Sequence, residues 1–391
     1  MTPLAAQGLD AVTGWFERFA DIATRGLPRM QIEGGRWFCH RALQADAGQL
    51  TLEGRSERYT AMVLIGAAAW QQSGGSTRLE VGASCDALAA WQQPSPGDLG
   101  LVLWAQTQRG DARAEATARA LLQRRAEVFD ARADFPSMEM GFLLRGLAAG
   151  LAAGLPGMAE FAGETAEVLL RNQHRDSGLF SFARRVRRKD FLRTRRDTRL
   201  GSFASQVYPT MALSALATAS GEARWLQAAE RCADRIVSLQ GPTGQWWWIY
   251  QQAKATPALR YPVYSVHQDA MGPMLLLAVA LASSRPRRYD AAVRASLDWF
   301  DARGECRGSE LIDTAGGMVW RAVQHDDPAT TGLLGLGKRE LQRLGRAAWF
   351  GTSDRRDLAP GFVCNECRPY HLGWILLAAA MWRQSLAGAH G

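Results

Sequence analysis

Six segments of this chain are small and apolar on every side: RYTAMVLIGAAAW, DLGLVLWAQ, MEMGFLLRGLAAGLAAG, QVYPTMALSALA, YSVHQDAMGPMLLLAVALA and RPYHLGWILLAAAMW. A helix that is apolar all round must be covered all round. The segments between them are of another kind. EARWLQAAERCADRIVSLQ and MAEFAGETAEVLLRNQ carry their charges along one face and belong on an outer surface. Ala and Leu recurring at intervals of three and four predict helices over 9–25, 57–72, 78–91, 98–108, 112–128, 137–153, 158–173, 203–218, 222–240, 263–283, 287–303 and 369–385, separated by short Gly or Pro breaks. Buried helices alternating with half-exposed ones read as a double ring. The expected fold class is all-α, an (α/α)6 barrel or toroid of alternating inner and outer helices, as a single domain over 1–391 with inserted loops.

Three excursions interrupt the alternation. Residues 1–50 add to the N-terminal helix a small hairpin around MQIEGG and QLTLEG. Residues 184–199 form a basic loop insertion, and residues 304–365 form a Gly-rich insertion with an extra helix, LGKRELQRLGRAAWF. Long loops inside a compact domain usually carry function.

Composition narrows the partners. With 47% hydrophobic and 21% charged residues the chain is globular, neither disordered nor disulfide-framed. Its 46 Lys and Arg exceed 38 Asp and Glu, and most of that surplus sits in RRVRRKDFLRTRRDTR, where nine basic residues meet two Asp. Such a run reads as a solvated loop, or as a peripheral contact for a polyanionic glycan, a pyrophosphate or a membrane surface. No aromatic and glycine pattern of an RNA-binding sheet accompanies it, so nucleic acid is not expected. Cys364 and Cys367 make a lone CxxC without a second pair, so no metal and no cofactor is expected. The first residues lack a basic flank followed by an apolar core, and the apolar stretches are too short to span a bilayer, which sets a soluble, cytoplasmic protein as the expectation.

The outer helices feed loops of similar shape. Gln173 to Phe182 and Gln240 to Trp248 each run from a helix-ending Gln through a Gly turn into aromatics, and TAGGMVW (Thr314 to Trp320) is a looser third version. This pattern resembles the loops of six-hairpin glycosidases and related sugar epimerases and lyases, and more weakly the glutamine and tryptophan repeats of terpenoid cyclases. The resemblance implies the toroid. It leaves the chemistry to the residues.

In such a ring the inner helices share one polarity, so their leading residues converge at one mouth, where free N–H groups and positive dipole ends favour anions. The candidates there are Arg58, Tyr59, Asp98, Glu139, Tyr208, Tyr264, His267, Gln268, Asp269, Glu366, Arg368, Tyr370 and His371. Asp269 and Glu139 are the expected carboxylate acid/base pair, with His267 and Tyr370 for proton transfer. Arg58 and Arg368 are expected to anchor substrate beside Tyr59, Asp98, Tyr208, Tyr264, Gln268, Glu366 and His371. Asp98 also suits a helix cap, and Glu310 and Asp313 offer a further carboxylate from an inserted loop. Of Trp246, Trp247 and Trp248, the middle ring points away from the other two in an extended segment, making Trp247 the stacking candidate.

This inventory fits a carbohydrate-active enzyme, a glycoside hydrolase, lyase or epimerase, acting on an anionic or complex saccharide of the bacterial exopolysaccharide type. A terpenoid cyclase acting on a prenyl diphosphate or polyene is the alternative, but HQDAM holds one Asp and HDDP (His325 to Pro328) lacks a third carboxylate. A non-catalytic glycan-binding toroid is a third class, with less need for so many titratable groups at one mouth.

Overall fold

The computed structural model describes residues 3–44, 49–130, 136–183, 196–301, 310–324 and 361–388. Its helices run in chain order as α1 (Pro3–Gly26), α2 (Glu57–Gln72), α3 (Gly82–Ala89), α4 (Pro96–Arg109), α5 (Ala114–Gln123), α6 (Arg125–Phe129) and α7 (Ser137–Ala152). There follow α8 (Met158–Leu170), α9 (Phe203–Ser220), α10 (Ala223–Ser238), α11 (Gly272–Ala282), α12 (Asp290–Asp298) and α13 (Pro369–Gly388). Neighbour packing closes an inner ring in the order α2, α4, α7, α9, α11, α13 and back to α2. Outside it, α3, α5, α8, α10, α12 and α1 pack against the inner helices. The alternation in the sequence therefore gives the (α/α)6 toroid, and the inner helices are those whose sequences carry no polar face. No described helix is long and apolar enough to cross a membrane.

Glycine sets how closely the inner helices approach. A methyl group on Gly66 of α2 would overlap the carbonyl of Gly373 in α13, and one on Gly146 of α7 would overlap Gly100 in α4. Serine fixes where they begin. Ser56, Ser95 and Ser202 cap α2, α4 and α9, each side chain accepting a backbone N–H from the first turn.

Short strands crown the end where the inner helices start. One sheet joins β1 (Gln31–Ile32), β2 (Trp37–Gln44), β3 (Leu50–Ser56) and a last strand, Glu366–Cys367. Between them in sequence lie β4 (Leu200–Ser202), β5 (Ile249–Gln251), β6 (Thr256–Leu259), β7 (Val263–Tyr264), β8 (Ile312–Asp313), β9 (Met318–Val319), β10 (Ala322–Gln324) and β11 (Phe362–Cys364), which makes the last strand β12. Four inner helices follow such strands directly: α2 after β3, α9 after β4, the α11 segment after β7, and α13 after β12. Register matters at one point: β12 pairs with β2 so that Glu366 faces Leu43 and Cys367 faces Ala42, which brings Glu366 beside Arg41.

One inner segment departs from the expected helix over 263–283. Its first residues form β7, His267–Met271 is a π turn, and the α-helix begins only at Gly272. Pro273 accounts for this, because it has no N–H to return to the carbonyl of Asp269. The turn is closed instead by the Gly272 N–H, donating to the carbonyl of His267 five residues back. The extra helix expected within 304–365, most of the basic run 184–199, and His325 to Pro328 lie outside the described residues.

Candidate active site

The leading ends of the inner helices do meet. Arg58, one residue into α2, lies between two carboxylates: its Nε donates to Asp98 Oδ1 at 2.6 Å, and its two terminal nitrogens donate to Glu139 at 2.6 and 3.0 Å. Asp98 also completes the cap of α4, accepting from the Ser95 hydroxyl at 2.8 Å, and the same hydroxyl lies 3.4 Å from Glu139. Burial works against the charge on Arg58, but Asp98 and Glu139 outweigh it and hold the guanidinium above its usual range. One cation and two carboxylates leave this side of the mouth acidic.

A second cluster, at the start of α13, is cationic. Glu366 is buried with Arg368 against it, Arg321 at 3.2 Å and Arg41 at 3.5 Å. Burial alone would raise its pKa, but Arg321 and Arg368 together bring it below the usual carboxylate value. Arg368 also donates to the Tyr59 hydroxyl at 2.8 Å, and the Tyr59 ring packs on Tyr370 at 4.7 Å. Burial pushes the Tyr370 hydroxyl well above its ordinary range. Arg321 lies over the Tyr264 ring. Two tyrosine rings thus bridge an acidic and a basic wall.

A histidine and aspartate pair lies deeper. His371 Nε2 is 2.8 Å from both oxygens of Asp269, which sits on the π turn with no exposed surface. Burial raises the Asp269 pKa, and His371 works against that rise. His267 points elsewhere, its ring 4.7 Å from Phe203 and 5.1 Å from Tyr264, with Nδ1 unpartnered among the described residues. Burial brings its pKa down to about 3. It is a neutral imidazole at physiological pH, and so weak a base tells against the proton-transfer role expected of it. Asp269, expected as an acid/base carboxylate, is wholly buried and hydrogen-bonded to His371.

Three further expectations give way to packing. Gln268 has no exposed surface. Its Oε1 accepts the Trp246 N–H at 3.1 Å, while Nε2 donates to the carbonyls of Trp246 and Tyr264. Gln206 does the same to Phe180, at 2.7 and 2.8 Å. The outer glutamines match as well. Gln173 donates to the carbonyls of Gly178 and Ala228, and Gln240 to those of Gly244 and Ala292. Each loop of the repeated Gln, Gly and aromatic pattern is therefore tied twice, its own glutamine joining it to the next outer helix and an inner-segment glutamine holding its aromatic residue. Tyr208 belongs to the floor, its hydroxyl accepting from Trp374 at 2.9 Å. Trp247, 6% exposed and packed against Tyr261, offers no free face; the half-buried ring is Trp248, next to Tyr264.

Asp313 closes its own hairpin turn by accepting from the Gly316 N–H, and burial pushes the Cys367 thiol up to about 12. Among the described residues no cluster of three or more His, Cys, Asp or Glu side chains is arranged to hold a metal ion. Sequence reasoning missed Arg41 and Arg321. Alternation along β2 and the position of Arg321 directly after TAGGMVW were the available signals.

The sequence matches no protein-family model and no curated protein. Solved structures share its fold. A possible member of the GH105 family from Klebsiella pneumoniae superposes with a TM-score of 0.60 at 10% identity, over 95% of this chain and 93% of that one. The unsaturated glucuronyl hydrolase from Bacillus sp. GL1, responsible for the degradation of glycosaminoglycan, gives 0.58 at 13% identity over 93% and 95%. A sugar epimerase from a ruminal bacterium gives 0.59 at 10% identity over 93% and 98%. At such identities the likeness establishes the (α/α)6 toroid of six-hairpin type, and the chemistry rests on the residues at the mouth.

Proposed function

We propose that this protein is a carbohydrate-active enzyme that binds an anionic saccharide at the mouth of the toroid and transfers protons to and from a ring carbon. The observation that carries this reading is the His371 and Asp269 pair set between an Arg-rich wall and an acidic wall. A substrate carboxylate would lie on Arg321 and Arg368, where Glu366 leaves cationic charge in excess. Tyr59, Tyr370 and Trp248 offer ring faces and hydroxyls to the sugar. With Nε2 of His371 held by Asp269, Nδ1 is the nitrogen left to act as base, and Tyr370 stands as the partner acid. Glu139 and Asp98 face the other end of the ring.

Proton transfer is preferred over hydrolysis by two carboxylates for one reason. Asp98 and Glu139 share a single guanidinium and a single serine hydroxyl, whereas glycosidic cleavage requires the pair to stand on opposite sides of the bond. By their printed names the neighbours include a glucuronyl hydrolase that degrades glycosaminoglycan and a sugar epimerase, in keeping with a saccharide substrate. The test is a turnover screen of uronate-containing and neutral oligosaccharides in deuterated water, beside prenyl diphosphates. Solvent deuterium entering a uronate ring, abolished in folded Asp269→Asn, is the expected result. Release of reducing ends without deuterium at the ring carbon would replace this chemistry with hydrolysis, and turnover of diphosphates alone would overturn the saccharide reading.

A further inference from the structure

The barrel axis is blocked halfway. Trp104 stacks on Trp374 with ring centroids 5.9 Å apart, and Trp374 donates to Tyr208, forming a plug below the mouth. Beyond the plug the axis opens again, at the end where the inner helices finish, into a cavity of about 1240 Å³ lined by the last turns of all six inner helices. That exceeds the ~300–1,000 Å³ of ordinary small-molecule sites. Alanines make the void: Ala148, Ala149, Ala152, Ala215 and Ala278 stand where larger side chains would fill it.

Two polar groups in this cavity lack partners of opposite kind. Arg145, half-buried on α7, lies 4.0 Å from the centroid of Trp104 and has no carboxylate within salt-bridge distance among the described residues. Burial alone pushes its guanidinium down to about 10. Oε1 of Gln108, in the same wall, is buried without a donor. The hydroxyls are already committed: Thr107 donates to Leu103, Ser214 to Thr210 and Thr218 to Ser214. A polyol would therefore find few free donors. The surrounding helix C-termini present negative dipole ends, which disfavour any anionic group not met by a cation such as Arg145. An unpaired guanidinium in such a site is costly until an anion meets it.

We infer that this distal cavity is a binding site for an amphipathic monocarboxylate, its acid on Arg145 and its apolar body against the alanine walls. The site is separate from the mouth and does not depend on the reaction proposed there. The probe is N-decanoylglycine, followed by calorimetry on the full chain, with decanol and glucuronate as comparisons. Saturable one-to-one binding is expected, weakened about tenfold to a hundredfold in Arg145→Met and blocked in Ala149→Phe, which fills the void from another helix position, both variants keeping the wild-type circular dichroism. Binding of decanol as tight as that of N-decanoylglycine, or equal binding by glucuronate, would overturn the ligand class. Absence of N-decanoylglycine binding, or affinity unchanged in folded Arg145→Met, would overturn the site.

Discussion

His267 gives the sharpest stability prediction. Its ring is held between Phe203 and Tyr264, and burial brings its pKa down to about 3, opposed by a hydrogen bond with the Trp246 backbone and reinforced by the nearby His371 and Arg321. In the unfolded chain the same group titrates near 6.5. Between those values the unfolded chain takes up a proton that the folded protein refuses. Its contribution is therefore fully present above about pH 6.5 and is lost as the pH falls towards 3, at about 1.4 kcal/mol per pH unit, or about 3 kcal/mol by pH 4.5. Asp269 titrates with the opposite sign, since burial raises it and protonation relieves a cost, but it is common to wild type and variant. Replacing His267 with Phe keeps a ring in the aromatic slot and removes the titration. Urea unfolding at pH 7 and pH 4.5 measures it: stability of His267→Phe relative to wild type should rise by about 3 kcal/mol between the two. The same gap at both pH values would refute the claim that a neutral imidazole is locked into the π turn.

Removing Arg58 leaves Asp98 and Glu139 facing each other, so Arg58→Met should cost about 2–4 kcal/mol, less than a fully buried pair because the arginine is partly exposed; thermal unfolding reads it, and Arg58→Lys should recover little because a single ammonium cannot serve both carboxylates. Gln268→Ala strips the Trp246 N–H and carbonyl of their partners and should cost about 1–3 kcal/mol in denaturant unfolding. Gln206→Ala should cost a similar amount, since the two staples are built alike. Gly66→Ala forces α2 away from Gly373 and should lower stability by about 1–3 kcal/mol, visible as a fall in melting temperature.

The ring was legible because its helices are of two kinds. RYTAMVLIGAAAW and MEMGFLLRGLAAG have no face fit for water, and that forces them inside whatever the loops do. Convergence at one mouth followed from polarity, and Arg58 with Asp98 and Glu139 came out together on that ground. What remained hidden was which polar side chains were spent inside the protein. Gln268 and Asp269 are adjacent in the sequence, yet one staples Trp246 and the other holds His371. The π turn that directs them arises from a missing N–H at Pro273, two residues past the end of that turn. Arg41 and Arg321 were hidden for another reason: strand pairing across the chain, not local pattern, carries both to Glu366. The tryptophan triplet followed the same logic, with Trp246 donating to Ser296 inside the core and Trp248 left at the rim.

Whether a carboxylated sugar sits between the two walls of the mouth is answered by a crystal structure of His371→Ala soaked with a glucuronate-terminated disaccharide. The uronate carboxylate is expected on Arg321 and Arg368, with the ring against Tyr59 and Tyr370. Sugar bound away from the inner-helix N-termini, or with its carboxylate turned towards Glu139 and Asp98, would contradict that placement.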